Sequence, residues 1–260
     1  MTRIKRIALL TDFGTRDPYV AAMKGVIAAR TDAPVVDLTH DIAPQDVFGA
    51  AWFLGAIVRF WPSDTIFCCV VDPGVGTDRR IIAVERNGQT FLAPDNGLLS
   101  LVLGPRSSVL GWSVENASFF LPDNSSTFHG RDRFAPVAAA IANGVALSEL
   151  GPRIGAIVQL RYEPPEYGDR VRGTIVSVDR FGNLITDIEA SRIPFAPFAL
   201  EAHGTTIDRL ERAYAGAAAG AFLVIGSSGC IEISVANDSA AERLRMGRLD
   251  RVEVCRIDRP

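Results

Sequence analysis

Arg6-Ile-Ala-Leu-Leu-Thr11-Asp12-Phe13-Gly14, followed by Asp17-Pro18-Tyr19-Val20, is the stretch whose reading decides the fold. An unbroken apolar run bounded by polar residues reads as a strand buried on both faces. Asp17 then offers a helix N-cap, Pro18 suits the first helical position, and Val20, Met23 and Ile27 recur at helical spacing. Outward from there the alternation continues. Pro34–Leu38 predicts a second strand, Asp46 opens a helix through about Phe60, and Thr65–Val71 is a third, wholly apolar strand. Ile81–Glu85 and Thr90–Ala93 predict a hairpin around Asn87-Gly88, and an Ala-rich helix from Arg131 to about Asn143 stops at Gly144. This order predicts an α/β N-terminal domain with a mostly parallel sheet, its ligands lying beyond the carboxyl ends of the strands.

The pattern changes at Arg161-Tyr-Glu-Pro-Pro-Glu-Tyr-Gly168, where paired prolines make a stiff, extended connector. Beyond it strands dominate: Val171–Val178, Leu184–Ile188, Phe198–Ala202, Phe222–Ile225, Ile231–Val235 and Val252–Ile257, with one short Ala-rich segment at Leu210–Ala219. Many short strands separated by turns predict a smaller, all-β, barrel-like C-terminal domain. The expected organisation is therefore a domain over 1–160, a linker over 161–168 and a second domain over 169–260.

Composition narrows the function. Basic and acidic residues number 14 and 15 over residues 1–160 and 13 and 15 over residues 161–260. Neither part carries the basic excess that a phosphate backbone requires, so no nucleic acid is expected as a partner. The longest stretch without charged or strongly polar groups, Ala213–Gly226, has 14 residues, against about 20 for a membrane crossing. The N-terminal apolar run ends at Thr11 and Asp12, too soon for a signal-peptide core. A cytoplasmic protein with no membrane association is expected. The four cysteines form no C-x-x-C, and the adjacent Cys68 and Cys69 read as small core residues.

Polar clusters follow the apolar strands. Asp12, in Thr11-Asp12-Phe13-Gly14, can accept a ribose diol or coordinate a metal; the plain alternative is a loop carboxylate satisfying backbone N–H groups. In Val71-Asp72-Pro73-Gly74-Val75-Gly76-Thr77-Asp78-Arg79-Arg80, the Pro and two Gly permit a tight turn beside a ligand, with Asp72 at the strand tip and Arg79 returning; an ion pair bracing the turn reads equally well. His129 precedes a helix in Ser125-Ser126-Thr127-Phe128-His129-Gly130-Arg131-Asp132-Arg133, whereas His40 and His203 have less context. In the second half, Asp179, Phe181 and Asn183 place a carboxylate, an aromatic face and an amide within five residues, a set suited to an adenine-bearing ligand, and Ser227-Ser228-Gly229 offers hydroxyls and N–H groups to a carboxylate; both also read as ordinary turns.

Taken in order, Thr11-Asp12-Phe13-Gly14, Asp17-Pro18-Tyr19, Val71–Thr77, Ala93-Pro94-Asp95-Asn96-Gly97, Phe128–Asp132 and Phe181-Gly182-Asn183 resemble the S-adenosyl-L-methionine hydroxide adenosyltransferases, hydrolytic relatives of fluorinase and chlorinase. The resemblance implies a homotrimer with active sites between the N-terminal domain of one subunit and the C-terminal domain of the next. It implies an Asp-Arg-His triad around the attacking water, here Asp72, Arg79 and His129; the halogenating relatives lose this triad and carry an aromatic residue where this chain has Asp72. Asp12 would bind the ribose diol, Asp179 and Ser228 the methionine ends, and Phe181 and Asn183 the adenine, while Gln45 stands where fluorinase has a Trp.

The reaction so implied is hydrolysis to adenosine and L-methionine. The substrate's sulfonium is already a leaving group, so no cofactor and no metal is expected. Arg79 would lower the pKa of water, His129 would accept or relay the proton near neutral pH, and Asp72 would orient both. Two alternatives remain open at this level: a metal-dependent phosphohydrolase using Asp12, Asp72, Asp95 and His129, and a non-catalytic binder of S-adenosylmethionine or adenosine.

Overall fold

A computed structural model describes residues 5–104, 110–123, 125–215 and 217–257. The chain divides into two compact units, Met1–Arg161 and Tyr162–Pro260. Among the described residues no helix is long and apolar enough to cross a membrane.

The first unit runs β1 (Arg6–Thr11), α1 (Tyr19–Ala28), β2 (Val35–Thr39), α2 (Val47–Ile57), β3 (Thr65–Val70), β4 (Ile81–Arg86), β5 (Gln89–Pro94), α3 (Ser100–Leu103), β6 (Leu110–Ser113), α4 (Ala135–Ala142) and β7 (Arg153–Ile154). Asp46 caps α2 by accepting the Gly49 N–H at 2.9 Å. Helix α1 differs from expectation: Pro18 occupies the cap position, and no side chain caps it.

Strand order is β2-β1-β3-β5-β4-β6-β7. The ladders β1·β2, β1·β3 and β3·β5 are parallel, whereas β4·β5, β4·β6 and β6·β7 are antiparallel. The sheet is thus mixed, not mostly parallel. The cause is the two-residue turn at Asn87-Gly88, where both φ angles are positive (53° and 76°). Such a turn sends the next strand back beside its predecessor. The returning β5 inserts between β3 and β4, and β6 and β7 extend the antiparallel half.

Both faces of this sheet are buried. Ile7, Leu9, Ile66 and Cys68 pack with Met23 and Ile27 of α1 and Val137 and Ile141 of α4. Ala8, Leu10, Phe67 and Cys69 pack on the other face with Leu54 of α2 and Leu99. The adjacent cysteines therefore point to opposite cores, and burial pushes the Cys68 thiol up to about 12. Phe67 and Phe91 stack with centroids 5.0 Å apart.

The second unit runs β8 (Val171–Val178), β9 (Leu184–Glu189), β10 (Phe198–Ala202), β11 (Thr205–Ile207), β12 (Leu210–Glu211), β13 (Ala221–Ile225), β14 (Cys230–Val235), α5 (Ala240–Leu244) and β15 (Arg251–Arg256). Its eight-stranded sheet has the order β11-β10-β15-β8-β9-β14-β13-β12. Among the described residues, only β12·β13 of its ladders is parallel. The sheet curls until Cα atoms of β11 and β13 approach within 8 Å, a half-barrel around Val171, Ile175, Leu200, Leu223, Ile231 and Val252. The short helix α5 starts at Ser239, whose Oγ accepts the Glu242 N–H at 3.2 Å.

The turn between β8 and β9 is locked against α5. Gly182 sits at φ +82°, a Cβ there would overlap the Ser239 side chain, and the Ala241 N–H donates to the Gly182 carbonyl at 3.0 Å. Gly182→Ala is expected to lower stability by about 1–3 kcal/mol through backbone strain and overpacking together. The urea midpoint of the variant measures this; an unshifted midpoint would show that the turn has room for a side chain.

Candidate active site

The loops after β1 and β3 meet at one end of the first unit's sheet. Beneath β1, Thr11 Oγ1 lies 2.8 Å from His40 Nδ1, whose Nε2 lies 3.0 Å from Asp37 Oδ1. The Gly14 N–H donates to the His40 carbonyl at 2.8 Å, and Asp12 Oδ2 accepts the Gln45 backbone N–H at 2.7 Å. These bonds stitch the loop after β1 to the loop after β2, which holds Asp12 in place. His40 thus serves this stitching.

The loop from Val71 to Arg80 folds back on itself. Thr77 donates to the Gly74 carbonyl through both its hydroxyl, at 2.7 Å, and its N–H, at 3.1 Å. Gly76 has φ +81°, and a Cβ there would stand 2.7 Å from the Ser126 carbonyl oxygen, so only glycine fits. The fold-back delivers Arg79 to Asp72. Arg79 Nε donates to both Asp72 oxygens at 2.9 Å, while Nη2 donates to Asp72 Oδ2 and to His129 Nδ1, the latter at 2.7 Å. The two side chains are 10% and 5% exposed.

His129, 3% exposed, precedes a π-helical turn over Gly130–Phe134 that leads into α4. An arginine only donates, so His129 Nδ1 is the acceptor and the neutral ring carries its proton on Nε2. Burial first, then the positive charges of Arg133 and Arg79, push its pKa down from 6.5 to about 4. The unfolded chain therefore binds the extra proton between those values, and folded stability falls as pH drops through that window. This differs from the sequence-based expectation of a proton acceptor near neutrality: Nδ1 is already occupied and Nε2 is a donor. Three of Arg79's five N–H groups are committed to Asp72 and His129.

Asp12, Asp72 and His129 line a cleft of about 350 Å³ whose other walls include Phe13, Tyr19, Gln45 and Phe128. Phe13, Tyr19 and Phe128 pack on one another with centroids 5.1–5.9 Å apart. No role was read for these rings from sequence, although each lies within two residues of a polar residue singled out there or, for Tyr19, beside the helix-starting Pro18. Asp95 lies elsewhere, 6% exposed, with Oδ2 accepting from Arg80 Nε at 3.0 Å and Oδ1 from the Val158 N–H at 2.8 Å. Of the four side chains that the phosphohydrolase alternative requires, Asp72 and Asp95 are thus each committed to an arginine.

In the second unit, Asp179, Phe181 and Asn183 share one turn. Asp179 Oδ1 accepts the N–H groups of Phe181 at 2.8 Å and Asn183 at 2.9 Å, and Oδ2 accepts Asn183 Nδ2 at 2.8 Å. Phe181 is left 78% exposed. Ser228 is at the other end of β14: Ile233 pairs with Leu184, next to that turn, and Cys230 with Glu189, which separates the two turns by roughly 15 Å of strand. His203 sits in a turn with Nε2 3.3 Å from Asp250.

Comparison with known proteins bears on this arrangement. Residues 7–151 match the family model of the SAM hydroxide adenosyltransferase N-terminal domain, and residues 173–253 that of the C-terminal domain. The chain is 35% identical to a protein named (R)-S-adenosyl-L-methionine hydrolase from Thermus thermophilus, covering 93% of this chain and 96% of that one. It is 28% identical to a fluorinase from an Actinoplanes species over 70% and 71% of the two chains. An uncharacterised conserved protein from Thermotoga maritima superimposes with a TM-score of 0.89 at 32% identity, covering 96% of this chain and 100% of that one. With both family domains matched in order and the Asp-Arg-His cluster assembled in the first of them, the chain belongs to the SAM hydroxide adenosyltransferase family.

Proposed function

We propose that this chain hydrolyses S-adenosyl-L-methionine to adenosine and L-methionine by attack of hydroxide at C5′. The observation that carries the reading is that Asp72 and His129 both line the cleft and that Arg79 is bonded to each of them. The hydrolase relatives, 35% identical over nearly the whole chain, support it.

The chemistry follows from the substrate. The O–C5′ bond forms as the C5′–S bond breaks, the sulfonium takes the bonding pair, and methionine leaves as a neutral thioether. The protein has to hold the nucleophile in line with that bond, an effect worth roughly 7–11 kcal/mol in favourable cases. The Nη1 N–H groups of Arg79 and the Nε2–H of His129 are donors suited to an oxygen that carries negative charge. Water gives up its proton to solvent before attack, and His129 stays neutral throughout. Asp72 holds the guanidinium in place and offsets its charge in a site with little water around it.

Asp12 takes the ribose diol. The second unit, a barrel-like domain, supplies Phe181 and Asn183 to the adenine and Ser228 to the methionine carboxylate, while Asp179, rather than reaching the methionine amino group, holds Phe181 and Asn183 in their turn. The exposed Phe181 ring on a rigid turn supports a stacking role. The chain assembles as a homotrimer in which the second unit of one copy completes the cleft of its neighbour. Neither a cofactor nor a metal has a part in this scheme.

Incubation with S-adenosylmethionine, followed by chromatography, is expected to yield adenosine and methionine in equal amounts with or without EDTA. Arg79→Ala is expected to lower kcat by about 100-fold or more, as for loss of one oxyanion donor. Activity lost on chelation would favour the phosphohydrolase, and saturable binding without turnover the binder.

The pH dependence tests the part given to His129. The rate is expected to rise with hydroxide without an inflection near 6.5, since the folded ring titrates at about 4. His129→Gln, whose amide can accept from Arg79 and donate to the nucleophile, is expected to retain more activity than His129→Ala. An inflection near 6.5 that disappears in His129→Gln would make His129 the proton acceptor.

A further inference from the structure

Residues 71–80 leave β3 and return as β4, yet β5 lies between those two strands. The segment that carries Asp72 and Arg79 must therefore arch over the tip of β5. The residues at that tip are Asp95 and Asn96, within Ala93-Pro94-Asp95-Asn96-Gly97. The proposed function gives them no role.

Each grips one foot of the arch. Asn96 Nδ2 donates to the Val71 carbonyl at 2.9 Å, at the peptide that leads into Asp72. Its Oδ1 accepts the Leu98 N–H at 3.2 Å, which sets the direction of the amide. At the other foot, the Asp95 N–H donates to the Arg80 carbonyl at 2.9 Å. Asp95 Oδ2 also accepts from Arg80 Nε at 3.0 Å and Nη2 at 2.5 Å, and its side chain is 2% exposed. Val71 and Arg80 are the immediate neighbours of the two residues that form the ion pair. Neither Asp95 nor Asn96 lines the cleft.

We infer that Asp95 and Asn96 are positioning residues that clamp both ends of the Asp72–Arg79 loop and so hold the guanidinium on His129. The kinetic consequence rests on the hydrolase reading; the structural one does not. A guanidinium that must meet a carboxylate and an imidazole nitrogen together tolerates little drift of either foot. The clamp fixes the feet from a strand that is itself paired on both sides.

Two measurements test the clamp. In steady-state kinetics, Asn96→Ala is expected to lower kcat by about 10- to 100-fold, the scale of a misplacement near 1 Å, with KM nearly unchanged. In an Arg79→Ala background the same change is expected to cost almost nothing more, because Asn96 acts through Arg79. The second measurement needs no turnover: ring ¹⁵N resonances of His129 report the protonated nitrogen. The wild type is expected to show one tautomer with Nε2 protonated, and Asn96→Ala a mixture with a pKa raised toward 6.5. Asn96→Ser and Asp95→Asn, which preserves its backbone bond to Arg80, serve if Asn96→Ala does not fold. A folded variant with unchanged kcat, an equal loss in the Arg79→Ala background, or an unchanged His129 spectrum overturns the clamp. A wild type that releases no adenosine overturns the hydrolase reading and leaves the nitrogen resonances to decide the clamp.

Discussion

Insertion of β5 between β3 and β4 is the constraint from which the site follows. It sets the feet of the 71–80 loop two strand spacings apart, about 9–10 Å. A short segment crossing that gap over a strand tip cannot wander. Gly76, with no room for a Cβ against Ser126, and the Thr77–Gly74 bonds fold it inward. Asp72 and Arg79 consequently face each other across the arch, and the length of the arginine side chain closes the remaining distance.

An ion pair this enclosed is costly to desolvate and stable only when its remaining hydrogen-bond capacity is filled. Asp72 takes the Nε and Nη2 edge of Arg79, and His129 Nδ1 accepts a further N–H of Nη2. The imidazole can play that part only while neutral. Its burial and two neighbouring arginines enforce that state far below physiological pH. The same arrangement that settles the ion pair keeps Asp72 and His129 bonded to one guanidinium at the cleft they line.

The two units divide the work by architecture. In the first, two helical layers bury a sheet on both faces, and loops at the strand ends carry Asp12, Asp72 and Arg79. In the second, a curled sheet presents turns, and in one of them Asp179 consumes its own lone pairs on Phe181 and Asn183. A carboxylate spent this way makes the turn rigid, and the aromatic ring projects from it at no conformational cost to a ligand.

Much was determined by sequence alone. The apolar runs at Ile7–Leu10 and Thr65–Val70, the cap at Asp46 and the turn at Asn87-Gly88 are local signals, set by periodicity and by φ preferences that neighbours a few residues away decide. The family resemblance was legible for the same reason, since its motifs are contiguous. The direction of β6 and β7 was not, because pairing partners are chosen by which strand edge remains open after collapse, and Leu110–Ser113 carries no strong pattern of its own. The state of His129 was likewise hidden: a proton's position depends on which groups lie within about 3 Å, and Arg79 is fifty residues away in the chain. Residue identity thus named the chemical groups, and long-range packing decided their protonation and their aim.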